Sequence, residues 1–213
     1  MTLLSALDYA SVAVFALSGA LVASRSQLDI VGFIFVACLT AVGGGTIRDV
    51  LLNRDVVFWV ADPTILLGAV VAAVMVFFGA HRLESRYRAI VWLDAFALAI
   101  AVPAGVAVAM GLGHHWAIVM VMGVSTGSFG GLMRDVVCNE VPLVLKQGEL
   151  YATAAFAGAG AAVLVVALGH GTGVALLVCA AVTLVLRAGS IVFGWGLPVY
   201  KTRPPRPDCP KNH

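Results

Sequence analysis

Charge is what this sequence has least of. Asp, Glu, Lys and Arg make up 11% of its 213 residues, where soluble domains carry about a quarter. Hydrophobic residues make up 61% and the mean hydropathy is +1.01. Too little polar surface remains to coat a soluble fold, so the composition implies an integral membrane protein. The net charge is only +2, and no Lys/Arg run interleaved with aromatics occurs outside the tail, which argues against nucleic-acid binding. Cys38, Cys138, Cys179 and Cys209 stand singly. Without a CxxC or paired spacing they predict neither zinc nor a disulfide framework; small apolar filler is the plainer reading. No enzyme constellation is present either. "GGGTIR" lacks the GK[ST] ending of a P-loop, no serine sits in a Ser-His-acid motif, and His81, His114, His115 and His170 show no metal-ligand spacing. No catalytic site, cofactor or metal is expected. The opening "MTLLSALDYASVAVFALSGALVAS" lacks a basic n-region and reads as a first membrane helix, not a cleaved signal.

What is present is a series of apolar runs. A span needs about 20 mostly apolar residues, and seven runs qualify, near 7–24, 29–52, 64–80, 90–112, 116–138, 150–169 and 172–193. The links between them are short. Only the tail "YKTRPPRPDCPKNH" is long, polar and Pro-rich, a composition that predicts disorder.

The sequence also matches itself, ungapped, at an offset of 86. Leu7-Asp8 falls on Leu93-Asp94, Gly19 on Gly105, Thr40 on Thr126, Gly44-Gly45 on Gly130-Gly131, Arg48-Asp49-Val50 on Arg134-Asp135-Val136, and Asn53 on Asn139. Alanine and glycine matches come cheaply in such a chain; the Asp, Thr, Arg-Asp and Asn matches do not. With three spans per copy, the second copy must enter the membrane upside down, the inverted-repeat plan of many transporters and some channels. The expected fold is all-α integral membrane: one three-helix repeat at 1–86, its inverted mate at 87–171, a seventh helix at 172–195 outside the duplication, and a tail at 196–213. On the side of the C-terminus lie Arg25, Arg82, Arg86, Arg88, Arg134, Lys146, Arg187, Lys201, Arg203, Arg206 and Lys211; on the other lie Arg48 and Arg54. The positive-inside rule then predicts an external N-terminus and a cytoplasmic C-terminus.

The repeated segments "GGGTIRDVLLN" and "FGGLMRDVVCN" are the candidate site. Glycine weakens a helix interior by about 1 kcal/mol against alanine, so Gly43, Gly44 and Gly45 predict a bend or unwinding in the second helix. Gly130 and Gly131, with Ser125, Thr126 and Ser128, predict one in the fifth. In lipid such a break must face protein or water, and the symmetry sets the two breaks together near mid-membrane. Thr40 and Thr126, a turn earlier, are candidates to face the same lumen; the alternative is a hydroxyl bonded back to its own helix. For scattered glycines such as Gly19, Gly68, Gly105, Gly158 and Gly160, close helix packing is the expectation. Arg48-Asp49 and Arg134-Asp135 fall toward opposite faces, one pair at each mouth, with Asp8 and Asp94 as their simplest partners. Solvated helix ends are the alternative.

These motifs resemble those of the prokaryotic trimeric intracellular cation (TRIC) channels: two copies of a three-helix unit, a seventh helix, "GGGTIRD" ending the second helix and "GGLMRD" ending the fifth. The likeness covers roughly residues 5–195. It departs at Phe129, which stands where the first copy has Gly43. The resemblance implies a homotrimer in the inner membrane of a bacterial or archaeal cell, with a hydrated pore in each protomer lined by bent second and fifth helices. It also implies conduction of potassium or other monovalent cations. Such sequences are also described as a glycine-transporter domain. Carbonyls and hydroxyls at a helix break suit a potassium ion, and equally the ammonium group of glycine, with Arg48 or Arg134 near the carboxylate. The residues alone leave channel and small-amino-acid transporter both open.

Overall fold

The computed structural model describes residues 3–82 and 86–198. The described residues form eight α-helices: α1 Leu3–Arg25, α2 Ile30–Leu51, α3 Phe58–Ala61, α4 Thr64–Gly79, α5 Arg86–Gly111, α6 Trp116–Val137, α7 Ala152–Ala167 and α8 Thr172–Phe193. Five of them, α1, α2, α5, α6 and α8, are long and apolar enough to cross a membrane. At 1.5 Å per residue, 22 residues cover about 33 Å, against a hydrocarbon core of about 30 Å. The third helix of each repeat, α4 or α7, has only 16 residues, about 24 Å.

The duplication is visible in how the helices stop and start. Left-handed residues follow α1 at Gln27 and α5 at Gly113, and follow α2 at Asn53 and α6 at Asn139. Each pair is separated by the repeat offset. At the ends of α2 and α6 the bonds also match: Arg54 N donates to Asp49 O at 3.0 Å, and Glu140 N to Asp135 O at 2.8 Å. This is the closure a left-handed residue gives a helix C-terminus, and asparagine is the usual substitute for glycine there. Both repeats then insert a helical turn before their short third helix, α3 in one and a 3-10 turn at Leu143–Leu145 in the other. Neither turn stood out in the sequence.

The four long helices α1, α2, α5 and α6 form the centre. Helix α1 packs on α2 and α5, α5 on α6, and α2 on α6. The outer helices are arranged less evenly. Helix α4 lies on α1 and α2, α7 on α6 and α8, and α8 on α5 and α7. The interior is unusually small-sided: Ala16, Ala20, Ala37, Ala95 and Ala97 have no exposed surface. Small residues let helix backbones approach where lipid supplies no hydrophobic drive between them. Leu67 and Phe78 of α4 and Leu177 and Phe193 of α8 point outward, as a lipid-facing surface requires.

Two expectations are corrected here. Helices α2 and α6 run without interruption through Gly43–Gly45 and Gly130–Gly131, so the glycines do not unwind them. Close packing is the expectation for Gly68, yet within the protomer a side chain there would meet nothing. The segment after α8 also starts in contact with the bundle. Ser190 Oγ donates to the Trp195 carbonyl at 2.8 Å and accepts from Leu150 N at 2.9 Å. Residues 199–213, Cys209 among them, lie outside the described residues.

Candidate functional site

The glycines stay helical because they are contact points. Where α2 crosses α6, a Cβ on Gly44 would strike the Thr126 carbonyl oxygen, and a Cβ on Gly130 the Thr40 carbonyl oxygen. The two contacts exchange under the repeat, and the residue numbers run in opposite directions along the two helices. The crossing is therefore antiparallel and lies on the pseudo-twofold axis of the inverted repeat. Gly43 faces the Met133 sulfur and the Gly130 backbone, Gly45 the Phe58 ring, and Gly131 the Asp94 carboxylate and the Tyr151 hydroxyl.

The repeated threonines are equally committed. Thr40 Oγ1 donates to Val36 O at 2.6 Å, and Thr126 Oγ1 to Met122 O at 2.7 Å. Each threonine packs against the glycine of the neighbouring first helix, Thr40 on Gly19 and Thr126 on Gly105. Ser125 and Ser128 are buried, and Ser128 Oγ has no bonding partner among the described residues. Beside the crossing, Asp8, Ser11, Ala41, Gly44, Ala101 and Thr126 line a cavity of about 10 Å³, room for one water at most.

The Arg-Asp pairs bind each repeat together. Arg48 has no exposed surface. Its Nη1 donates to Asp8 Oδ1 at 2.9 Å and its Nε to Asp49 Oδ1 at 2.7 Å. The other Asp49 oxygen accepts from Phe58 N, the first amide of α3, at 2.8 Å. Arg134, also wholly buried, donates from Nη1 to Asp94 Oδ1 at 3.1 Å and from Nε to Asp135 Oδ1 at 2.7 Å. Asp135 Oδ2 accepts from Leu143 N, the first amide of the 3-10 turn, at 2.9 Å. In each copy, then, the arginine reaches back to the first helix while the aspartate caps the connection to the third. Burying an ion costs several kcal/mol unless it is paired and bonded. The sequence places a carboxylate on both sides of each guanidinium, and this explains why the motif needs an adjacent Asp.

The two clusters are not equivalent. Arg54 adds a bond to Asp49 at 3.2 Å, and the Phe58 ring lies 5.3 Å from the Arg48 guanidinium, a cation–π distance. That set balances two arginines against two aspartates. At the other cluster Ser18 accepts from Arg134, and the Tyr151 hydroxyl faces the Asp94 carboxylate. Arg187 of α8 stacks on the Tyr151 ring at 5.0 Å and has Glu149 Oε2 2.7 Å from its Nη2. Phe58, Ser18, Tyr151, Glu149 and Arg187 are not among the candidate site residues that the sequence offers. None of them is duplicated: Tyr151 falls on Ile65, Glu149 on Pro63, Ser18 on Ala104 and Phe58 on Val144, and Arg187 lies outside the repeat. A residue polar in one copy and apolar in the other is the signal that could have pointed to Tyr151. Among the described residues, no group of three or more His, Cys, Asp or Glu side chains is placed to hold a metal.

A duplicated three-helix unit, inverted about a glycine crossing and locked by a buried Arg-Asp cluster at each end, defines a class of polytopic membrane protein. The chain belongs to the family described as Glycine transporter, whose model matches it twice, over residues 5–81 and 91–167. It is 36% identical over 204 residues to a UPF0126 membrane protein of Vibrio cholerae, covering 93% of this chain and 83% of that one. It is 42% identical over 154 residues to the UPF0126 inner membrane protein YadS of Escherichia coli K12, covering 71% and 73%. Among solved structures it is similar to the TRIC trimeric intracellular cation channel orthologue from Rhodobacter sphaeroides, with a TM-score of 0.88, 42% identity, and coverage of 91% of this chain and all of that one. A second TRIC cation channel structure matches with a TM-score of 0.85 and 28% identity over 95% of this chain. The fold is that of the TRIC channels.

Proposed function

We propose that this protein is a cation channel, permeable to potassium, working as a homotrimer in the inner membrane with one ion path inside each protomer. The observation that carries the reading is its likeness, along nearly the whole chain, to the Rhodobacter sphaeroides cation channel orthologue. The path runs between α1, α2, α5 and α6, past the Arg48 cluster, the glycine crossing and the Arg134 cluster in turn. Gly43–Gly45, Gly130, Gly131, Thr40, Ser125, Thr126 and Ser128 form its narrow part, with Asp49, Asp135, Asp8 and Asp94 supporting the arginines. Opening separates α2 from α6. The Thr40 and Thr126 carbonyls, now covered by glycine, then face the gap, and carbonyl oxygens are good weak ligands for a dehydrated cation. The halves that move apart are the two repeats, 1–86 and 87–171, with 172–195 held against the second. The excess of Lys and Arg near the Arg134 end supports a cytoplasmic C-terminus and an external N-terminus.

The family's description favours one second reading, a carrier for glycine, in which the same crossing forms a substrate site opened to each side in turn. Flux into liposomes holding the purified protein separates the two. Fast potassium uptake that ignores glycine is the expected result. Saturable, gradient-driven uptake of labelled glycine without potassium conductance overturns the channel.

A further inference from the structure

Helix α8 stands outside the duplication yet carries a charge into the interior. Arg187 has no exposed surface. Its guanidinium lies 5.0 Å from the centre of the Tyr151 ring. Nη2 is 2.7 Å from Glu149 Oε2, an ion pair by distance but misaligned as a hydrogen bond, and Nε and Nη1 have no bonding partner among the described residues. A buried arginine held this loosely is a poor stabilising element, because the cost of desolvating it is only partly returned. What it does contact is Tyr151, whose hydroxyl faces the Asp94 carboxylate. In the first repeat Ile65 stands at the position of Tyr151, buried among apolar neighbours. The far end of the chain of contacts is accessible. Glu149 is partly exposed and, with Tyr87, Trp92 and Ser190, lines a cavity of about 270 Å³.

We propose that Arg187 and Tyr151 are positioning residues for the Arg134 half of the ion path. Arg187, anchored by Glu149, holds the Tyr151 ring so that its hydroxyl stays on Asp94 and keeps Asp94 paired to Arg134. This rests on the channel reading above, and it makes the two halves of the path open unequally. The Arg48 cluster closes on residues of its own repeat. The Arg134 cluster is closed by a helix from outside the repeat, through a salt bridge that solvent can reach. Arg187 and Tyr151 touch no ion; they act through Asp94.

The test is single-channel recording of the full-length protein in planar bilayers, comparing Arg187→Met, Tyr151→Phe and the double variant. Each single change is expected to raise open probability about tenfold, equivalent to about 1.4 kcal/mol, with unit conductance unchanged. The double variant should match the singles, because both act on the same contact. Arg187→Lys, which keeps a cation for the Tyr151 ring but loses the planar stack, should restore part of the closed time. Unchanged open probability in Tyr151→Phe, or effects that multiply in the double variant, overturns the proposal. Tyr151→Phe removes one oxygen and keeps the ring, so it stays informative if Arg187→Met fails to fold. If the wild type passes no potassium, the channel reading fails while the coupling stays measurable by hydrogen exchange. Arg187→Met should then speed exchange in the last two turns of α6 and leave the last turns of α2 unchanged; equal exchange at both ends overturns it.

Discussion

Gly44 and Thr126 touch backbone to backbone, with no room for a methyl group between the Gly44 α-carbon and the Thr126 carbonyl, and Gly130 and Thr40 repeat the contact in mirror order. Two helices that meet in this way are held together by shape. Among the described residues no N–H or O–H hydrogen bond joins α2 to α6 at the crossing, so the contact can part without breaking a conventional hydrogen bond.

Gly44→Ala and Gly130→Ala should each wedge the crossing. Forced overpacking of a tight contact costs about 1–3 kcal/mol, offset in part by the better helix propensity of alanine. Both variants should lower the thermal midpoint in detergent and raise resting potassium leak in liposomes. Gly68→Ala is the control: open space surrounds it, and its midpoint should hold or rise by up to the equivalent of about 1 kcal/mol. Equal loss of stability at Gly44 and Gly68 would remove the crossing as the reason for the glycine.

The spans and the inverted repeat were legible because they rest on hydrophobic run length and on polar residues matched at a fixed offset. The meaning of the glycines was not. A glycine weakens its own helix and also admits a neighbour's backbone, and only the position of Thr126 decides which effect governs at Gly44. The Arg-Asp pairs were recognisable as paired charges. That Asp49 caps α3 and Asp135 the following 3-10 turn depends on the Phe58 and Leu143 amides, eight or nine residues away in short elements that hydropathy does not mark. Tyr151 is not duplicated, and its importance lies in differing from Ile65.

Removing an arginine should cost far more than removing the carboxylate it reaches. Arg134→Met strands Asp94 and Asp135, both buried, and breaking a buried pair in this way costs about 3–5 kcal/mol. Asp94→Asn leaves Arg134 paired with Asp135 at 2.7 Å, so its loss should be nearer 1–3 kcal/mol, roughly that of a charged hydrogen bond. Arg134→Lys should behave like the methionine variant in part, because one ammonium cannot reproduce the fork that serves Asp135 from Nε and Asp94 from Nη1. Thermal unfolding of the purified variants orders the three; a milder loss for Arg134→Met than for Asp94→Asn contradicts the stapling role.

Asn53 and Asn139 close α2 and α6 at φ 49° and 54°. Left-handed backbone costs an ordinary L-residue about 1–2 kcal/mol, and asparagine and glycine tolerate it best. Asn53→Val and Asn139→Val should therefore each lower the unfolding midpoint, and the corresponding glycine variants should leave it near wild type. Because the two sites are duplicates, the two losses should agree closely. A marked difference would mean that one asparagine is kept for its side chain and not for its backbone.

Asp62 gives a pH-dependent test outside the spans. Thr64 donates to its Oδ1 from the hydroxyl at 2.6 Å and from the amide at 3.2 Å, and the Tyr9 hydroxyl of α1 donates to its Oδ2. These bonds, from Thr64 first and then Tyr9, hold the Asp62 carboxyl below the usual carboxylate range. A depressed folded value means that the ionised group favours the folded state. Its contribution is complete above the unfolded value of about 3.9 and is lost as the pH falls through the lower folded value. Asp62→Asn should therefore lie below wild type in thermal midpoint near neutrality, and the gap should narrow as the pH is taken down past about 3.9. Tyr9→Phe should show a smaller gap with the same pH course, since it removes one of the bonds to the same carboxylate. A gap that stays constant, or widens in acid, would show that the ionised Asp62 does not hold α1 to the start of α4.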